Sequence, residues 1–281
     1  MPDITELIQK RFSCRTYADR PVEDHLLRKL DCLAAAEHAG PFGGKPRFQL
    51  IKLDMSEPEK WKKLGTYGVI KNARLFLTGA IKKSSTAAVD FGYCMEPLIL
   101  EATALGLGTC WMAGTFNAGG FARAINLQEN EYLPAVSPVG YPADRKSLTD
   151  KIFRLSAGSD HRKPWKDIFF TEDFSIPLTP EQAGKYFPAL ENIRLAPSAS
   201  NKQPWRILRA TATNNFHFYL ERAFGYKLRE VPIQDIDLGI ALSHFEITTR
   251  ELGLSGQWRI NADAPERKSL DYIVSWQEAG G

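Results

Sequence analysis

Two long apolar segments of this 281-residue chain superimpose on each other, and that internal match constrains the fold more than any other feature. With a constant shift of 237 − 90 = 147, Asp90 falls on Asp237, Gly92 on Gly239, Leu105-Gly106-Leu107 on Leu252-Gly253-Leu254, and Trp111 on Trp258. The apolar runs Val89–Leu105 and Asp235–Leu252 read as helices, the first interrupted at Pro97, and each closes on a glycine that accepts a left-handed cap. A second shift, 204 − 46 = 158, sets Pro46 on Pro204 and Glu23 on Glu181. The two registers differ by 158 − 147 = 11 residues, a change that loops tolerate. The chain therefore reads as one domain repeated in tandem, residues 1–170 and a shorter second copy 171–281, with the joint near Thr171–Leu178.

Around the long helices the smaller elements follow the same logic. A short helix over Ile4, Leu7 and Ile8 opens the chain, and Pro21–Glu37 is a second, with Leu26, Leu27, Leu30, Leu33 and Ala34 on one face. Arg47–Leu53, Ala73–Ile81, Tyr132–Tyr141, Trp205–Ala210, Phe216–Leu220 and Tyr272–Trp276 have strand character. Thr179-Pro180-Glu181 starts a helix, with a hydroxyl to cap it and proline at its first position.

Composition excludes several classes. Hydrophobic residues make up 43% of the chain, enough for a sizeable core, and charged residues 25%, which is ordinary for a globular protein. Net charge is 36 − 33 = +3 without a basic stripe, which argues against a nucleic-acid partner. No apolar run approaches the ~20 residues of a membrane span, and Met1–Lys10 is acidic where a secretory signal is basic then apolar. The expectation is a cytoplasmic protein that contacts no membrane. Cys14, Cys32, Cys94 and Cys110 form no C-x-x-C pair and no metal-ligand pattern with His, so they read as reduced, mostly buried thiols. No histidine has the company of a catalytic triad.

Two segments carry recognition chemistry. In Arg11–Tyr17, R-F-S-C-R-T-Y, the spacing of two brings Arg11, Ser13 and Arg15 to one side of an extended strip, where guanidiniums and a hydroxyl can grip a phosphate. In Arg194–Ile207, R-L-A-P-S-A-S-N-K-Q-P-W-R-I, Ser198, Ser200, Asn201 and Gln203 donate and accept hydrogen bonds while Pro197 and Pro204 stiffen the backbone, which suits a planar ligand edged with heteroatoms. A plain surface turn would use the same residue types. Gly43-Gly44-Lys45 is not a phosphate-binding loop, because position 39 is Ala39 and Pro46 follows the lysine. Gly106 and Gly108 close a helix rather than opening one, so no dinucleotide fingerprint is present.

The string P-S-x-x-N-x-Q-P-W at 197–205 resembles the flavin-loop signature of the FMN-dependent nitroreductase family, and R-x-S-x-R at 11–15 is similar to the arginine element near the start of such chains. Arg162–Phe170 resembles the tail that ends the family's domains. The resemblance implies an α+β nitroreductase-like fold, here as two tandem copies forming an intrachain pseudo-dimer with the long helices crossing at the interface. It implies FMN with its phosphate on Arg11, Ser13, Arg15 and the Arg145–Lys146 pair, and its ribityl chain and ring edge on Pro197, Ser198, Ser200, Asn201 and Gln203. It also implies backbone N–H groups of Ala113, Gly114 and Thr115 near the reactive N5. Because the family binds FMN between subunits, the first half supplies the arginines and the second half the amide loop, giving one FMN per chain and a monomer in place of the family dimer. Under the 158 shift Arg11, Ser13 and Arg15 fall on Phe169, Thr171 and Asp173, and Pro197, Ser198, Ser200, Asn201 and Gln203 on Ala39, Gly40, Phe42, Gly43 and Lys45, so the reciprocal site reads as erased. The implied activity passes hydride from NAD(P)H through FMN to a small acceptor such as a nitroaromatic or quinone, without a catalytic side chain. A non-catalytic flavin-binding or redox-sensing protein and a dehalogenase of the same fold are the alternatives.

Overall fold

Both long apolar segments are helical in the computed structural model, which describes residues 3–53, 69–114, 116–143, 161–223, 227–228 and 231–279. In chain order the first half holds α1 (Ile4–Lys10), α2 (Asp24–Ala35), β1 (Arg47–Lys52), β2 (Leu75–Lys82), α3 (Ala87–Ala104), β3 (Gly108–Thr109), α4 (Ala118–Ala124), β4 (Glu131–Tyr132) and β5 (Val136–Gly140). There follow β6 (Phe169–Thr171), β7 (Asp173–Pro177), α5 (Pro180–Ala183), α6 (Phe187–Leu195), β8 (Trp205–Ala210), β9 (Asn215–Leu220), β10 (Lys227–Leu228), β11 (Val231–Pro232), α7 (Ile233–Glu251), β12 (Gly256–Arg259) and β13 (Asp271–Glu278). The start of α5 carries a full capping box, Thr179 and Gln182 each bonding the other's backbone N–H.

Helix α3 is apolar on nearly every side and buried to match. It runs through Pro97 without a break, so the interruption expected there does not occur. One backbone hydrogen bond is forgone, and packing from all sides holds the helix across the gap.

α3 and α7 cross at their glycines. A Cβ on Gly92 would lie 2.3 Å from the carbonyl oxygen of Ile236, and one on Gly239 would lie 2.1 Å from that of Val89. The 147-residue shift carries Val89 to Ile236 and Gly92 to Gly239, so these are one contact seen from its two sides, the mark of a two-fold interface.

The sheets repeat as well. The first has strand order β1-β2-β5-β3 and the second contains β8-β9-β13-β12, with antiparallel neighbours throughout both runs. β1 and β8 correspond residue for residue under the 158 shift, Arg47 to Trp205 and Lys52 to Ala210. The second sheet goes further: β6 joins β8 in parallel and β7 extends it. The joint drawn between residues 170 and 171 thus lies inside β6.

This placement corrects one correspondence. Phe169 and Thr171 sit in a strand beside β8, whereas Ser13 bridges Thr109 of β3, on the opposite edge of its own sheet. Phe169, Thr171 and Asp173 are therefore not the structural counterparts of Arg11, Ser13 and Arg15. The 158 register holds for β1 and β8 and fails for residues 11–15, because residues leaving the first half add a strand to the second sheet.

The largest apolar core cluster among the described residues takes members from both halves, from Leu30 and Phe48 through Phe91 and Met95 to Leu242 and Phe245. Among the described residues no helix is long and apolar enough to cross a membrane, and no group of three or more His, Cys, Asp or Glu could hold a metal ion. Cys14, Cys94 and Cys110 are buried and Cys32 is exposed.

Candidate functional site

Helices α1 and α6, which lead into the two segments, pack against each other. Ile4 and Ile8 of α1 bury against Leu100, with Leu7, Leu195 and Ile247 packed around them, and Asn192 Nδ2 donates to Thr5 Oγ1 at 3.0 Å. Thr5 lies beside Asn192 and the Leu7–Ile8 turn beside Leu195, so the helices advance side by side in the same direction. The end of α1 delivers Arg11, and the end of α6 delivers Pro197.

Arg11 caps α1 in an extended conformation. Its Nε and one terminal nitrogen are shielded from solvent and have no hydrogen-bond partner. Burial lowers its pKa, opposed by the charges of Glu96 and Cys110. Beyond it Cys14 is buried and its N–H donates to Thr109 O at 2.8 Å, which leaves Ser13 and Arg15 on the other side of the strip. Lys71 N–H donates to Arg15 O at 2.8 Å. The strip thus lies along β3, and the chain leaving β3 pairs Met112 with Val136 through two 3.0 Å bonds before it bends at Ala113 and Gly114. Thr115, Arg145 and Lys146 lie outside the described residues.

The second segment is backbone-strained. Ser200, Asn201 and Gln203 have φ of 48°, 52° and 47°, the left-handed region that non-glycine residues rarely adopt and that gathers at functional sites. Side-chain amides hold this shape. Gln203 Oε1 accepts from Lys163 N–H at 2.8 Å, and its Nε2 donates to Asn201 O at 3.1 Å. Asn201 Oδ1 accepts from Arg162 at 2.6 Å and its Nδ2 donates to His161 O at 2.6 Å, while Arg162 also donates to Leu195 O at 3.0 Å. Ser198 Oγ accepts from Gln203 N–H at 2.8 Å. Gln203 is 2% exposed, and its amide bonds Lys163 N–H and the carbonyl of Asn201. Pro197 and Ser198 are half-buried and Ser200 is exposed.

Each half anchors its loop on the aspartate near the start of its long helix. Asp90 accepts from Phe42 N–H and Gly44 N–H, both at 2.9 Å, and Asp237 accepts from Ala199 N–H at 3.0 Å. Asp237 Oδ2 is buried without a partner, and burial drives this carboxyl up to about 8, the Ala199 bond notwithstanding. Between the helices Glu96 accepts from Trp111 Nε1 at 2.8 Å and lies 2.9 Å from His244 Nε2. His244 Nδ1 is 2.8 Å from Asn192 O, an acceptor only, so Nδ1 carries hydrogen. Trp258 repeats the theme, donating to Glu246 at 2.6 Å.

A family model described as "Putative TM nitroreductase" matches residues 3–249. The chain belongs to this nitroreductase family. A crystal structure described as that of a "putative nitroreductase" from Thermotoga maritima, 20% identical, covers 98% of this chain and 93% of its own with a TM-score of 0.61, which shows a shared fold over almost the whole length. Two curated relatives are each described as "Putative NADH dehydrogenase/NAD(P)H nitroreductase". The one from Archaeoglobus fulgidus is 27% identical over 177 residues, 59% of this chain and all of the relative. The one from Methanothermobacter thermautotrophicus is 26% identical over 160 residues, 53% of this chain and 82% of the relative.

In this family member the residues that sequence reasoning missed are the supports. Arg162 lies in a segment read only as a tail, yet it ties the end of α6 to Asn201. Glu96 and His244 are 148 positions apart and meet only because α3 and α7 cross.

Proposed function

We propose that the chain is an FMN-dependent oxidoreductase of nitroreductase type with one flavin site, built from the arginine strip of the first half and the amide loop of the second. The observation that carries this reading is Arg11, whose two buried guanidinium nitrogens lack partners at the point where α1 and α6 converge. A buried unpaired cation is costly, and an anion such as a phosphate offsets the cost.

Arg11, Ser13 and Arg15 would hold the phosphate, with Arg145 and Lys146 adding charge. Pro197, Ser198, Ser200 and Asn201 would line the remainder, and Gln203, Arg162 and Asp237 fix the loop that presents them. Ala113, Gly114 and Thr115 would offer backbone N–H groups to the reactive edge. Flavin held there would supply the redox chemistry, hydride exchange between NAD(P)H and a small acceptor. The protein's part is to bind, orient and exclude water. Because both halves of the dimeric arrangement lie in one chain, a monomer has a complete site.

Reconstitution with FMN followed by NAD(P)H oxidation tests this reading. The protein should retain flavin through gel filtration and oxidise NADH or NADPH when a quinone or nitroaromatic is added. Retention of flavin without turnover would favour a binding or sensing protein, and failure to retain it would refute the assignment.

A further inference from the structure

A cavity of about 470 Å³ opens beside the start of α2, within the size range of small-molecule sites. Its walls are apolar: Tyr17, Val22, Leu75 and Val139 are all buried residues, and Leu27 of α2 joins them. Tyr17 turns its ring to this wall while its hydroxyl donates to Cys14 O at 2.8 Å.

The mouth has the opposite character. Arg20, Lys52 and Arg74 contribute three cations. Arg74 is paired with Asp19, and Arg20 lies 3.5 Å over the ring of Tyr141, whose hydroxyl donates to Glu23. Lys52 has no acidic partner among the described residues. Asn72, also on the lining, holds a left-handed φ of 61° with its amide 3.5 Å from Tyr17 O, a strained conformation of the kind kept at binding sites. None of Arg11, Ser13, Arg15 or the loop 197–203 lines this cavity.

From these features we infer a second ligand site, for a small organic anion with an apolar body, such as an aryl or medium-chain carboxylate. The hydrocarbon part takes the walls and the carboxylate takes Lys52 and Arg20. An inorganic anion would leave the walls unused, and a neutral molecule would leave the cations unused. The site is independent of flavin binding.

Calorimetric titration of the full chain with 4-phenylbutyrate and with octanoate, with and without saturating FMN, tests the inference. One site per chain is expected under both conditions. 4-Phenylbutanamide, the same shape without the charge, should bind at least about tenfold more weakly. Lys52→Glu combined with Arg20→Ala should cost a similar factor and leave the flavin content unchanged. Both are surface positions, so folding is retained. No heat with either carboxylate, equal binding of the amide, unaltered binding in the double variant, or binding abolished by FMN would each overturn it.

Discussion

Replacing Gly239 by alanine inserts one methyl carbon 2.1 Å from the backbone oxygen of Val89, where ordinary contact begins at 3.4 Å. The overlap is 3.4 − 2.1 = 1.3 Å against backbone, so no side chain can swing aside and α7 must move off α3. In an exposed helix the same change would stabilise by about 1 kcal/mol through helix propensity. Here overpacking of about 1–3 kcal/mol opposes it, so the sign should reverse and the variant should lose stability. Gly92→Ala meets Ile236 O at 2.3 Å and should behave alike. Because both act on one crossing, the double variant should fall short of the sum by about 0.5 kcal/mol or more. Urea unfolding of wild type, both single variants and the double variant measures this. A Gly239→Ala protein as stable as wild type or more so would refute the tight two-fold crossing.

Arg11→Met removes an unpaired buried cation, so the flavin-free protein should gain thermal stability while FMN affinity falls about tenfold or more; fluorescence titration and thermal melts read the two effects. Asp237, raised to about 8 from 3.8, binds a proton in the folded state that the unfolded state has released, so its contribution to stability falls as pH rises from about 4 to 8 and is level above that. Between pH 6 and 8 wild type should lose up to about 2.7 kcal/mol relative to Asp237→Asn, at 1.36 kcal/mol per unit, and parallel pH profiles in urea would contradict the assignment. Gln203→Ala strips the acceptor from Lys163 N–H and should cost about 1–3 kcal/mol with loosened flavin, whereas an unchanged melting temperature would count against a supporting role for this amide.

Much of this architecture was legible because burial writes a period into the chain. The long helices begin and end within two residues of the expected Val89–Leu105 and Asp235–Leu252, and Trp205–Ala210 is a strand to the residue. Elements with weak local signals escaped. α4 is Ala-Gly-Gly-Phe-Ala-Arg-Ala, whose two glycines mask a helix that Asn117 caps, and β7 is an edge strand of mostly exposed residues. At the candidate site the motif residues stood out as strings, while what holds them did not. Asn201 and Gln203 read as ligand-facing amides, yet their partners are Arg162, Lys163 and the backbone of His161, about forty positions away. Burial decides which face of a polar side chain is used, and that is set by the chain packed against it.

The most direct test of the account is the amount of FMN bound per chain after saturation and removal of free flavin, by absorbance against protein concentration, with the mass in solution measured on the same sample. One FMN on a monomer is expected, since the arginine strip and the amide loop of a single chain complete one site. Two FMN per chain, or one FMN only when two chains associate, would contradict it.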